Sequence, residues 1–274
     1  VNCICLLCNQ LQSLVMAILA HMDAARDDLK FNRCLETISE DAELSLSTDC
    51  SEASGEDSPV SLDAADALLI FDWDDTLLPT SWISQQGWLN GSGDLVDRPD
   101  EIILTREQQV LLQELEVKVE QTLLTAMRHG RVIIVTNAAD GWIETSCAAF
   151  LPGLSSLLDE IDLLSARSSY ESCGENPMEW KRRAFADVID AAFEYDESRP
   201  NVISIGDSVY EQAALASATK CMPNCCSKTL KLLESPDIRQ LIEEHELLFQ
   251  HLDIAVAHED HLDLEVAPEM ARRQ

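Results

Sequence analysis

Five acidic side chains fall in two short stretches whose spacing could do chemistry. Asp72, Asp74 and Asp75 lie in Phe71-Asp72-Trp73-Asp74-Asp75-Thr76, and Asp207 and Glu211 lie in Gly206-Asp207-Ser208-Val209-Tyr210-Glu211. Each stretch follows an apolar run, so Asp72 and Asp207 sit at the tips of candidate strands, with Asp74 in the same loop mouth as Asp72. Carboxylates this close cannot all stay ionised without a cation. A hard divalent ion answers that need, and Mg²⁺ binds through one or two carboxylates together with water and substrate phosphate oxygens. Asp72, Asp74 and Asp207 are therefore the candidate metal residues.

Something must carry these acids to one place. Apolar runs at 67–71, 131–135, 161–165 and 201–205, with a weaker one near 219–222, alternate with long amphipathic segments. Helices are expected over about 106–129, 141–150, 178–194, 209–216 and 236–252. Alternation of this kind reads as a parallel sheet covered by helices on both faces. Active groups in such a sheet collect at the carboxyl ends of the strands. Three of the runs end there in a polar residue: Asp72, Thr136 and Asp207.

The sequence resembles the haloacid dehalogenase superfamily of aspartyl phosphotransferases, whose four motifs occur in order. A strand with Asp-x-Asp-x-Thr is matched by Phe71-Asp72-Trp73-Asp74-Asp75-Thr76, and a strand ending in Ser or Thr by Val132 to Thr136 and Asn137. A Lys at the head of a helix is matched by Lys181, and Gly-Asp-x-x-x-Asp/Glu by Gly206-Asp207 through Glu211. The resemblance covers about residues 66–252; the first and fourth motifs are specific together, the other two weak alone. It implies a Rossmann-like α/β fold with a central, mostly parallel sheet flanked by helices. It also implies a Mg²⁺-dependent phosphomonoester hydrolase in which Asp72 attacks phosphorus and forms an aspartyl-phosphate. Asp74 would be the general acid and base, Thr136 and Asn137 would contact the phosphoryl group, and Lys181 would offset its charge. The ion would be held by the Asp72 carboxylate, the Asp74 carbonyl and Asp207, with Glu211 in support or on the helix surface. Asp75 is expected to cap or bond within the loop. Retention of Asp74 favours a phosphatase over a dehalogenase.

Family members usually carry a cap domain after the first or second motif. Here residues about 81–105 leave room only for a flap, and the stretch between Thr136 and Lys181 is also too short for a cap. An open site of this kind suits a phosphoprotein or another accessible phosphate. Trp82 and Trp88 in the flap, with Trp73, could form an apolar wall over it, or could be packing. The rival readings are a catalytically silent scaffold of the same fold and a phosphotransferase with an acceptor other than water.

Composition narrows the partners. Nineteen Lys+Arg against 50 Asp+Glu give a net charge of −31, which disfavours nucleic acid and anionic membranes. Residues 1–35 carry Leu7, Leu11, Leu14, Ile18 and Met22 at helical spacing, an amphipathic helix that could bind a protein partner. Residues 36–66 have no Lys or Arg and read as an acidic, Ser-rich linker; residues 253–274 read as an acidic tail. No transmembrane segment or signal peptide is expected, and Val1 in place of Met reads as a truncated start or a fragment. The 10 cysteines follow no framework and read as mostly reduced thiols of a cytoplasmic protein. Neither Cys3, Cys5 and Cys8 nor Cys221, Cys225 and Cys226 has the spacing of a zinc site. His245, His251, His258 and His261 are expected on the surface.

Overall fold

The computed structural model describes residues 67–91, 93–95, 102–174, 176–193, 199–222 and 224–266, all within a unit spanning 64–274. The proposed first helix, the linker and residues 267–274 of the tail lie outside the described residues.

Six parallel strands form one sheet: β1 Ala67–Phe71, β2 Gly130–Thr136, β3 Asp162–Ser165, β4 Asn201–Gly206, β5 Cys226–Lys231 and β6 Leu262–Glu265. Their order is β3-β2-β1-β4-β5-β6. This is a Rossmann-like α/β architecture, and it reverses direction between β1 and β4, where a crevice opens at the carboxyl ends. β1 is central: Phe71 stands opposite Ile134 on one side and Ile205 on the other.

All five residues of β1 are buried because both faces of the sheet are covered. Leu69 and Phe71 join Val132, Ile134, Ile203 and Ile205 beneath α2 (Arg106–Met127), α3 (Trp142–Phe150) and α8 (Ile238–Ala257). Leu68 and Ile70 point the other way, with Ile133, Val135 and Val202, under α6 (Pro177–Phe193) and α7 (Val209–Thr219). Capping boxes start three of these helices: Thr105 with Gln108, Ser208 with Glu211, and Asp237 with Gln240. Gly130 opens β2 because a Cβ there would stand 2.0 Å from the Ala67 carbonyl oxygen. Short helices α1 (Thr80–Gln85), α4 (Ser155–Leu158) and α5 (Ala166–Tyr170) complete the unit, none of them foreseen.

Two strands differ from expectation. The weak run near 219–222 is the end of α7 and a turn, and the fifth strand lies at Cys226–Lys231. Its two lysines disguised it; Lys228 is wholly buried, donating to the Val256 carbonyl (2.7 Å) at the end of α8. The start of the supposed tail is also built into the fold, as the last turns of α8 and then β6. On the α7 side of β5, Thr229 pairs across to Asp263 of β6 and Lys231 to Glu265 (3.1 Å), so this face carries polar cross-strand pairs. Among the described residues no helix is long and apolar enough to cross a membrane.

Candidate active site

β1 runs one residue past its end, with the Asp72 N–H donating to the Ile205 carbonyl (2.9 Å), so Asp72 is fixed at the crevice between β1 and β4. The chain then turns tightly on the Trp73 carbonyl, which accepts from Leu77 and Leu78 N–H (both 2.9 Å). Asp75 takes the left-handed region (φ 55°), which Asp tolerates better than most residues. Its carboxylate accepts from the backbone N–H (2.7 Å) and hydroxyl (2.5 Å) of Ser81 at the start of α1, as the loop reading required.

Asp74 is half-buried and takes three donors from three elements. Oδ1 accepts from Thr80 Oγ1 (2.7 Å) on α1 and from Trp142 Nε1 (2.8 Å) on α3; Oδ2 accepts from Thr136 Oγ1 (3.1 Å) at the end of β2. Thr136 Oγ1 in turn accepts from the Ala138 N–H (2.9 Å). Trp142 and Thr80 escaped sequence reading. Their only signals were a Trp directly after Gly141 at a helix start and a Pro79-Thr80-Ser81 turn.

Lys181, on the second turn of α6, is 2% exposed and donates to Asp72 Oδ1 (2.7 Å) and to Glu211 Oε1. Its neighbours Arg182 and Arg183 turn outward to Glu179, so only one of three adjacent cations enters the site. Glu211 is buried, which corrects the helix-surface alternative: beyond Lys181 it accepts from the Ser208 hydroxyl (2.6 Å) and N–H (3.0 Å). Gly206 makes room for it, because a Cβ there would lie 2.5 Å from Glu211 Cγ. Asn137 Nδ2 donates to the Pro177 carbonyl (3.3 Å), tying the β2 loop to the start of α6, and among the described residues its Oδ1 has no hydrogen-bond partner.

The electrostatics are those of crowded acids around one ammonium. Burial pushes Asp72 up to about 7, with Lys181 pulling down and Glu211 and Asp74 pushing further up. Burial, then Asp72, Glu211 and Asp75, push Asp207 up to about 8. Burial would lower the Lys181 ammonium, but Asp72 and Glu211 outweigh it and hold it raised. Burial would likewise raise Glu211, and Lys181 outweighs it. Among the described residues no three His, Cys, Asp or Glu side chains surround one metal position. The donor set nevertheless suits a hard cation: Asp72 and Asp207 are acids raised by burial and by other carboxylates, and the Asp74 side-chain oxygens already have donors, which leaves its carbonyl for an ion.

The tryptophans resolve to packing, and the surface expectation fails for two of the histidines. Trp73 does not overlook the site; it is wholly buried, with Nε1 donating to Ser146 Oγ (3.0 Å). Trp82 and Trp88 meet edge to face at 5.6 Å, and Trp88 stacks on Phe150, so these rings pack the flap to α3 rather than forming a wall. His245 is not on the surface. It is fully buried, 2.8 Å from the Thr76 carbonyl through Nε2 and 3.0 Å from Thr122 Oγ1 through Nδ1, and burial pulls it down to about 4. His258 is buried too, while His261 is exposed. The described cysteines, Cys147, Cys173, Cys221, Cys225 and Cys226, are free. Compared with known protein families, curated proteins and solved structures, the chain matches none.

Proposed function

We propose that the protein is a Mg²⁺-dependent phosphomonoester hydrolase of the haloacid dehalogenase type, working through an aspartyl-phosphate on Asp72. The observation that carries this reading is the Lys181–Asp72 contact. A helix 109 residues further along the chain delivers a buried ammonium 2.7 Å from the candidate nucleophile. That contact sits beside Asp74 with its Thr136 partner, and beside Asp207 across the β1–β4 crevice.

In the first step an Asp72 oxygen bonds to phosphorus as the bond to the ester oxygen breaks, and Asp74 gives that oxygen its proton. In the second, a water loses a proton to Asp74 and attacks phosphorus, and the Asp72–phosphorus bond breaks, so both carboxyls return to their starting forms. Lys181 fixes the Asp72 carboxylate and supplies positive charge beside the reacting phosphoryl group. Asp72, the Asp74 carbonyl and Asp207 would hold Mg²⁺, which supplies charge neutralisation for the carboxylates and Lewis acidity toward phosphoryl oxygens. Glu211 acts on the reaction through Lys181.

Among the described residues no cap domain follows β1, only α1 and the turn bridged by Leu89 and Leu95. That openness suits a phosphoprotein or another accessible phosphate, and the net charge of −31 argues against nucleic acid. A cytoplasmic setting fits the free thiols. The test is hydrolysis of p-nitrophenyl phosphate with and without Mg²⁺, with Asp72→Asn as the blank. Mg²⁺-dependent release that disappears in the variant is the expected result; equal release by the variant overturns the assignment.

A further inference from the structure

We propose that Trp142 is a positioning residue for Asp74, restricting proton exchange to the Oδ2 oxygen of that carboxyl; this rests on the phosphatase reading above. The two Asp74 oxygens are not equivalent. Oδ1 accepts from both Thr80 Oγ1 and Trp142 Nε1, at 2.7 and 2.8 Å, whereas Oδ2 has one partner, Thr136 Oγ1, at 3.1 Å. An indole N–H donates and cannot accept. Thr80 could turn to accept from a proton on Oδ1, as Thr136 can from one on Oδ2, but the indole N–H cannot and would face the weaker acceptor oxygen of an O–H, so the proton that Asp74 carries belongs on Oδ2.

Trp142 is suited to that task because it cannot turn away. It is buried at the first position of α3, and the chain enters that helix through Gly141 in the left-handed region (φ 81°). Its carbonyl accepts from Ser146 Oγ (2.6 Å), and the same hydroxyl accepts from Trp73 Nε1 (3.0 Å), on the residue between Asp72 and Asp74. The α3 start and the acid loop are thereby held as one piece.

Thr136 completes the arrangement. The Ala138 N–H occupies one of its lone pairs (2.9 Å), which leaves the hydroxyl one acceptor position and one hydrogen. With Asp74 ionised, that hydrogen goes to Oδ2. With Oδ2 protonated, Thr136 accepts from it, and its own hydrogen is released to a phosphoryl oxygen. Proton loading of the acid and donation to substrate are thus coupled in one hydroxyl. During the first step the Oδ2 proton passes to the leaving oxygen as its bond to phosphorus breaks, and in the second Oδ2 takes a proton from the attacking water.

The test combines one spectrum with one pair of substrates on the full chain. Five tryptophans give five indole N–H signals, and the one missing in Trp142→Phe should move upfield in Asp74→Asn. Phenyl and p-nitrophenyl phosphate share a ring but differ in how much their leaving oxygen needs a proton. Trp142→Phe should lower kcat for phenyl phosphate about tenfold, with KM unchanged and p-nitrophenyl phosphate affected less than about twofold. Thr80→Val, at a half-buried position, should show the same selectivity. In an Asp74→Asn background Trp142→Phe should cost nothing further.

Equal losses on both substrates, a full additional loss in the Asp74→Asn background, or an indole signal indifferent to Asp74→Asn each overturn the proposal. If the wild type hydrolyses neither phosphate, the phosphatase reading fails, and the indole shift alone decides whether Trp142 holds Asp74.

Discussion

Replacing His245 with Phe should remove from the folding stability the part that His245 makes pH-dependent between pH 6.5 and pH 4. His245 Nε2 lies 2.8 Å from the Thr76 carbonyl, which can only accept, so Nε2 bears the hydrogen and Nδ1 accepts from Thr122 Oγ1 at 3.0 Å. The imidazole is held neutral, pulled by burial from 6.5 to about 4, with the Thr76 bond opposing. The unfolded chain therefore takes up a proton first as pH falls. Stability contributed by neutral His245 is fully present above pH 6.5 and drains away down to pH 4. A gap of 2.5 pH units at 1.36 kcal/mol each amounts to about 3 kcal/mol. Phe keeps the volume but strands the Thr76 carbonyl, so at pH 7 the variant should be less stable by about 2 kcal/mol. Urea unfolding at pH 7, 6, 5 and 4 measures both proteins. Other titrations, such as Glu244, which burial pushes up to about 8, are common to the two and cancel in the difference. The stability gap should therefore close, and cross zero, as pH falls. A gap that stays constant from pH 7 to 4 would refute a buried neutral imidazole under the acid loop, and a widening gap would mean that the fold favours the imidazolium.

Two further outcomes follow from the crevice. Gly206→Ala places a Cβ 2.5 Å from Glu211 Cγ with no left-handed backbone to strain, so Glu211 must withdraw by about 1 Å and loosen its hold on Lys181. Thermal melts should show a loss of about 2 kcal/mol, most of it absent when the alanine is introduced into Glu211→Ala, where the space is already open. Millimolar Mg²⁺ should raise the Tm of the wild type and leave that of Asp207→Asn unchanged, since binding to the folded state alone stabilises it. A similar rise in both proteins would remove Asp207 from the ion's ligands.

The sheet was legible wherever apolar pressure was symmetrical. β1, β2 and β4 are covered on both faces, so almost every residue must be apolar and the runs at 67–71, 131–135 and 201–205 stand out. β5 and β6 present an apolar face to α8 and, on the α7 side, polar cross-strand pairs that Gln212 of α7 joins. Their patterns, Cys-Ser-Lys-Thr-Leu-Lys and Leu-Asp-Leu-Glu, alternate, and the charged half masks the buried half. Lys228 deepened the disguise by carrying an ammonium inward to the Val256 carbonyl, an arrangement that local composition cannot announce because its partner lies 28 residues away.

The site divides along the same physical line. Asp72, Thr136 and Asp207 were readable because a strand tip fixes where such residues must lie, Asp74 because it shares the Asp72 loop, and Lys181 only through its match to a motif of the resembled family. Most of the residues that hold them were not, because they act from far along the chain. Trp142 reaches back 68 residues to Asp74, His245 reaches 169 to the Thr76 carbonyl, and both look like ordinary helix residues in sequence. Glu211 shows why type and spacing alone mislead. Its position four residues after Asp207 suits metal support, yet its carboxylate is taken by Lys181 and by the Ser208 cap. It therefore reaches Asp72, the nucleophile of the proposed reaction, only through Lys181. Lys181 is clamped between two buried carboxylates, Asp72 and Glu211, and Ser208 makes them unequal. With two donors from that residue on Oε2, Glu211 is an anchored anion, while Asp72 meets Lys181 through Oδ1.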